Sequence, residues 1–187
     1  MNTIQNVKQF KTIDAKRPVV MGAKNETVKD WEVIVALNQS LAHAIDLRSR
    51  IKQAYWSAKG GNFYMLHKKF NDFSSELDSV ADELAARVLA LGGVPVRTIS
   101  IVAKTSRLPF YPLGALKALE HLDAVIASYE AASTHLPAVM RKVVQTGDRL
   151  TASVITGFSK LLDEQVGFIT AHIPAAWVAG PKKQSVS

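Results

Sequence analysis

The sequence contains no cysteine, which excludes disulfides, thiolate metal sites and cysteine nucleophiles. No stretch approaches the roughly 18 apolar residues of a membrane-spanning helix, and residues 1–30 lack the apolar core of a secretory signal. Glu-x-x-His pairs, HExxH, phosphate-binding loops and GxGxxG are also missing. We therefore expect no membrane partner, and the helical pattern and the charge are the informative features.

The charge is strongly basic. The chain has 23 Lys and Arg against 16 Asp and Glu, a formal net charge of +7 and a pI of about 9.7. Such a balance favours a polyanionic partner such as nucleic acid, and a solvated basic surface is the plainer alternative. With 187 residues, 48% of them hydrophobic, the chain suits one globular domain with a sizeable core.

Residues 52–95 contain the clearest helical pattern. After Gly60 and Gly61, apolar residues recur three or four positions apart, which predicts one continuous buried face of a long helix. These residues are Leu66, Phe70, Phe73, Leu77, Val80, Leu84, Val88 and Leu91. Gly92 and Gly93, with Pro95 just beyond, predict where the helix ends.

Three further helices are predicted. The first covers residues 29–59, with Leu37, Leu41, Ala44, Ile51 and Ala54 on its buried face. The third covers 112–145, starting at Pro112 and kinked or shifted in frame at Pro137. Asp148 is the expected N-cap of the fourth, which ends near His172. The connection over 94–112 is long enough for a crossover between helix pairs, with a short helix at Ile99, Ile101 and Val102.

A second stripe of the long helix carries His67, Asn71, Asp82 and Ala86, which share one side because they are 4, 11 and 4 residues apart. Several segments accompany it after residue 36: KQAYW, KGGNFYMLHKKFNDF, LDSVADELAARVLALGG, YPL and GDRLTASVITGFSKLLDE. In these segments the chain resembles the Dps family, the DNA-binding, iron-oxidising mini-ferritins of starved bacteria. The resemblance implies an all-α, ferritin-like four-helix bundle with a long crossover, assembled as a hollow homo-oligomer, a dodecamer.

In that family a di-iron centre uses a His on the first helix and His, Asp, Asp and Glu on the second. The matching positions here are Tyr55, His67, Asn71, Asp82 and Ala86, so only His67 and Asp82 retain the family's residue types. These two residues are 15 apart, or about 22 Å along one helix. A shared site therefore needs two antiparallel copies related by a two-fold axis.

The three substitutions remove one imidazole and two carboxylates, the ligand types that iron favours. We therefore predict no catalytic residues, no firmly held cofactor, and iron bound weakly at most by the remnant pair His67 and Asp82. The alternative is a working ferroxidase that recruits Asp78 or Glu83. Trp56 matches a Trp beside the family's iron site. The other histidines, His43, His121, His135 and His172, lack partners at ligand spacing, so structural or surface roles are expected.

Acidic residues at the start of the fourth helix line the family's three-fold pores, where iron enters. Here Arg149 and Ser153 occupy the matching positions. A ring of three arginines would repel Fe²⁺, so the pore also predicts weakened iron function.

Three regions are predicted: a basic arm over 1–29, the bundle over 30–175 and a basic tail over 176–187. The arm and tail residues expected to contact the phosphate backbone of duplex DNA are Lys8, Lys11, Lys16, Arg17, Lys24, Lys29, Lys182 and Lys183. The resemblance implies non-specific DNA binding and protection in starvation or oxidative stress, in the cytoplasm and at the nucleoid. A shell that only assembles or binds a protein partner is a further alternative.

Overall fold

The structure is a computed structural model that describes residues 28–57, 64–95, 98–112 and 118–173. Within those ranges it contains no β-strand, and its five helices confirm the all-α prediction. The helices are α1 (Val28–Ser57), α2 (Tyr64–Ala90), α3 (Ile99–Thr105), α4 (Ala118–Thr146) and α5 (Arg149–Ala171). None of the described helices is both long and apolar enough to cross a membrane.

The four long helices form a closed ring in the order α1, α2, α5, α4. Each helix of the ring packs against both of its neighbours, and the short α3 packs against α1. Because α2 and α4 are not adjacent in this ring, the chain between them crosses over the bundle, as predicted. Val102 of α3 is buried, which docks the short helix on the bundle.

The predicted apolar stripes form the core. On α2 the core residues are Leu66, Phe70, Phe73, Leu77, Leu84 and Val88, with Val80 and Leu91 partly buried. On α1 all five predicted residues, Leu37, Leu41, Ala44, Ile51 and Ala54, are fully buried. Burying such side chains stabilises the folded chain by about 1.5–3 kcal/mol for each large aliphatic or aromatic residue.

The two prolines of the third predicted helix lie in different surroundings. Pro112 itself is not helical, α4 is described from Ala118 on, and the predicted first turn of this helix lies outside the described residues. Pro137 lies inside α4. The buried residues continue across it at spacings of three and four without a shift of frame: Leu122, Val125, Tyr129, Ala132, Leu136, Val139 and Val143.

Asp148 caps α5 as predicted and also ties α5 to α2. Its side chain accepts hydrogen bonds from the backbone N–H groups of Leu150 and Thr151. Arg87 of α2 lies 2.8 Å from the same carboxylate, as an ion pair. Burial opposes ionisation, but hydrogen bonds from Thr151 and the Arg87 guanidinium outweigh it and lower the pKa of Asp148.

Gly93 lies just after the last turn of α2, where neighbouring side chains leave no room for a Cβ atom. Gly92 has φ 80°, and the N–H of Gly93 donates to the carbonyl of Val88 at 2.9 Å. A Cβ on Gly93 would stand 2.7 Å from Ile34 Cγ2 and 3.0 Å from Val88 Cγ1, both in fully buried side chains. The end of α2 is therefore packed directly against α1.

We expect Gly93→Ala to lower the free energy of unfolding by about 1–3 kcal/mol, because the buried neighbours must shift. Gly157→Ala is the matched control, since a Cβ there meets nothing within 4 Å and the residue is an exposed position of α5. That change should raise the free energy of unfolding by up to about 1 kcal/mol through helix propensity. Urea denaturation measures both, and equal effects of the two changes would contradict the packing argument.

Candidate functional site

Four side chains where α1 and α2 meet form the His67 cluster: Lys52, Tyr55, His67 and Asn71. The rings of Tyr55 and His67 are stacked, with centroids 4.0 Å apart and planes at 23°. Lys52 Nζ donates to Asn71 Oδ1 at 2.8 Å and lies 5.3 Å from the centroid of the Tyr55 ring. The structure thus brings three of the five predicted metal positions together within one subunit.

The donor set of the His67 cluster does not suit ferrous iron. It offers one imidazole, a phenol and an amide, and it contains an ammonium group but no carboxylate. The amide oxygen of Asn71 already accepts a hydrogen bond from Lys52, whose positive charge disfavours a second cation nearby. Among the described residues, no group of three or more His, Asp or Glu is placed to hold a metal ion.

Sequence reasoning missed Lys52, although a signal was available. Lys52 precedes Tyr55 by three residues and therefore lies on the same face of α1. A residue on that face, one turn away from a supposed ligand, can reach the same site.

The other two predicted metal positions, Asp82 and Ala86, lie far along α2. Both are exposed, and the helical rise places Asp82 about 22 Å from His67 along the axis. One subunit therefore does not bring His67 and Asp82 to one ion. Their joint site still requires a second copy of the chain and stays a prediction.

The alternative ligands of the ferroxidase hypothesis have other surroundings. Asp78 forms an ion pair with Arg48 at 2.7 Å, so its recruitment to a metal would leave the guanidinium without this partner. Glu83 is exposed one residue after Asp82.

Trp56 is 69% exposed and lines a cavity of about 300 Å³ with Arg50, among others. That cavity lies against α4 and the residues after α3, and no cluster residue lines it.

The two predicted pore residues are exposed on the first turns of α5. Arg149 directly follows the cap Asp148, and Ser153 lies one turn later. The Arg87–Asp148 ion pair fixes this end of α5 against α2. Because Arg149 is exposed, three copies of it could surround a pore. The meeting of three subunits at this point stays a prediction.

The predicted DNA-binding residues lie outside the described residues, apart from Lys29, whose backbone belongs to α1 but whose side chain is not described. Their charge is nevertheless informative. The described residues carry thirteen Lys and Arg against fourteen Asp and Glu, so they are close to neutral. The remaining residues carry ten Lys and Arg against two Asp and Glu, and seven of those ten lie within 1–27 and 174–187. The chain's excess positive charge is therefore outside the described helices.

Comparison with known proteins identifies relatives along most of the chain. The model of the ferritin-like domain family matches residues 34–175. A DNA protection during starvation protein of Agrobacterium fabrum is 36% identical over 141 residues, which cover 75% of this chain and 87% of that protein.

Two solved structures show the same fold. The Dps protein of Bacillus brevis aligns with a TM-score of 0.75 and 25% identity over 80% of this chain and all of that one. DpsC of Streptomyces coelicolor aligns with a TM-score of 0.78 and 23% identity over 88% of this chain and 96% of that one.

Proposed function

Because this chain belongs to the Dps family of ferritin-like proteins, we propose that it binds duplex DNA without sequence preference and protects it in starvation or oxidative stress. The names of its relatives, DNA protection during starvation proteins, support this function. The observation that carries the proposal is the charge distribution, with ten basic residues against two acidic ones outside the described residues.

The proposed mechanism is phosphate neutralisation. Lys and Arg side chains of residues 1–29 and 176–187 displace counterions from the DNA backbone, which supplies affinity without reading bases. In a homo-oligomer many copies of the arm engage one duplex, so individually weak contacts add up as avidity. With duplex DNA as its partner, we propose that the protein acts in the cytoplasm, at the nucleoid.

Retardation of DNA in gels tests this function. We expect two duplexes of equal length and unrelated sequence to be retarded equally at 50 mM salt. The apparent affinity should fall by about 10³-fold or more at 200 mM salt, as expected for six or more phosphate contacts. A clear preference for one duplex, or no dependence on salt, would contradict the proposal.

A second part of the proposal concerns iron. We propose that iron oxidation is weakened or absent, because the His67 cluster holds an ammonium and no carboxylate. The competing function is a ferroxidase and iron store that uses Asp78 or Glu83. Stopped-flow measurement of Fe²⁺ oxidation by the assembled protein distinguishes the two, since only the second predicts rapid oxidation, well above the rate of a protein-free solution.

A homo-oligomeric shell is also proposed, and exposed apolar residues support it. Leu89, Val144 and Leu150 are each at least 60% exposed. They belong to the ends of α2, α4 and α5 that meet near the Arg87–Asp148 ion pair. A water-soluble monomer rarely leaves such apolar area uncovered at one end.

We expect light scattering to give a particle of roughly twelve times 20.4 kDa, about 245 kDa. Leu150→Glu should reduce the particle size, because it places a charge in the apolar end. Lys160→Glu is the control, since it changes charge at an exposed position further along α5. A wild-type monomer or dimer at micromolar concentration would contradict the shell.

A further inference from the structure

Residues 106–111, here named the crossover strap, follow α3 without regular secondary structure. Side chains from one face of α1 hold the strap. Ser106 Oγ donates to Asp46 Oδ2 at 2.6 Å, and Arg50 donates to the carbonyl oxygen of Pro109 at 2.6 Å. Arg50 is itself fixed by an ion pair with Asp46 and by a 2.7 Å hydrogen bond to Ser128 of α4.

The third fastening depends on a histidine. The backbone N–H of Arg107 donates to His43 Nε2 at 3.2 Å, which requires Nε2 to be unprotonated. The neutral ring then carries its proton on Nδ1, a buried atom that has no hydrogen-bond partner. The ring edge meets His135 of α4, with centroids 5.0 Å apart and planes at 76°. His43 is therefore held as a neutral acceptor in a nearly closed site.

The surroundings oppose a charge on His43 from several sides. The pKa of His43 is lowered from 6.5 to about 4, chiefly by burial and next by His135. Asp46 raises the pKa, but Arg50 on the same helix and Arg107 on the strap lower it. His135 has a lowered pKa as well, again because of burial, although the Ala36 backbone raises it.

We infer that the crossover strap is an acid-released latch, in which protonation of His43 detaches residues 106–111 from α1. Once protonated, Nε2 of His43 is a donor that faces the N–H donor of Arg107. The backbone N–H of Arg107 cannot become an acceptor, so the hydrogen bond is lost. The contact of Tyr111 with His121, at 2.8 Å, differs because a hydroxyl can donate or accept. Release begins at Arg107 and moves Tyr111 away from the cavity that it lines with Arg50 and others.

The direction of the pH effect follows from the two states of the strap. Above pH 6.5 His43 is neutral whether the strap is fastened or released, so the equilibrium does not change with pH. Between pH 6.5 and about 4 the released strap takes up a proton that the fastened strap excludes, so release grows as pH falls. Because His135 of α4 still faces His43 after release, 6.5 is an upper bound for its pKa in the released state. Release at pH 5 should therefore exceed release at pH 7 by at most about 20-fold.

Hydrogen exchange measured by mass spectrometry on the full-length assembled protein tests the latch. After correction for intrinsic exchange rates, protection of the peptide covering 106–111 should fall between pH 7 and pH 5, by up to about 20-fold. Peptides from the middle of α2 serve as an internal reference and should keep their protection. Unchanged protection of the strap at pH 5, or equal loss in α2, would overturn the inference without any variant.

His43→Gln is the decisive variant, because its amide oxygen can accept from the Arg107 N–H and does not titrate in this range. Its strap should keep the same protection at pH 5 and pH 7. His172→Gln is the matched control, since His172 is exposed at the end of α5, and it should keep the acid response. An acid response in His43→Gln equal to that of the wild type would assign the effect to another group and refute the latch.

Discussion

Removal of residues 1–27 is expected to weaken binding of the assembled protein to duplex DNA by at least about 100-fold at 50 mM salt. The deletion stops before α1, which begins at Val28, so the bundle keeps its described helices. It removes five Lys and Arg and only two acidic residues from each copy. Residues 28–187 keep eighteen Lys and Arg against fourteen Asp and Glu, so the deletion lowers the formal charge of each copy from +7 to +4 and removes five candidate phosphate contacts.

Two controls separate charge from chain length. A full-length protein with Lys8, Lys11, Lys16, Arg17 and Lys24 changed to Gln should lose as much affinity as the deletion. Deletion of residues 181–187, which removes only Lys182 and Lys183, should have a much smaller effect. Gel retardation over a series of salt concentrations measures all three. If the shell without residues 1–27 binds DNA as tightly as the intact one, the helical surface must be responsible.

Restoring the lost ligands should create iron chemistry that the wild type lacks. The triple change Tyr55→His, Asn71→Asp and Ala86→Glu adds one imidazole and two carboxylates to His67 and Asp82. Imidazole and carboxylate together suit iron, so Fe²⁺ oxidation by peroxide should rise at least about tenfold above the wild-type rate. The wild type should stay close to the protein-free rate, because two Fe²⁺ ions would meet too little negative charge at its interface.

The experiment needs a size check and a neutral control. A buried carboxylate without a metal destabilises its surroundings, so light scattering must show an intact shell before each assay. Tyr55→His with Ala86→Gln, and Asn71 left unchanged, forms the matched control, because Asn and Gln are nearly isosteric with Asp and Glu and add no carboxylate. Rapid oxidation by the wild type would refute the degenerate site and favour recruited ligands. An assembled triple variant that stays inert would show that the interface geometry has also changed.

The helices could be predicted from the sequence because their pattern is local. The apolar residues of α2 repeat every three or four positions, and this spacing alone identifies the face that is buried. Asp148 was predictable for the same reason, since a cap acts on N–H groups two and three residues ahead.

The contacts within the candidate site depend on tertiary packing and could not be predicted in detail. Lys52 of α1 donates a hydrogen bond to Asn71 of α2, and His43 accepts one from the backbone of Arg107, 64 residues away. A histidine without a partner at ligand spacing gives no sign in the sequence that a backbone amide will bind it. The sequence therefore predicted a structural role for His43, but the crossover strap became visible only in three dimensions.

The ring order of the four long helices has a consequence for how the chain folds. The pairs α1–α2 and α4–α5 are neighbours both in the ring and along the chain, so each forms a helical hairpin of low contact order. The contacts of α1 with α4 and of α2 with α5 join residues that the crossover separates, and they carry a larger loop-closure entropy. We expect the two hairpins to form first and to dock in a later, slower step. Substitutions at the α1–α4 contact should then accelerate unfolding more than they slow the formation of either hairpin.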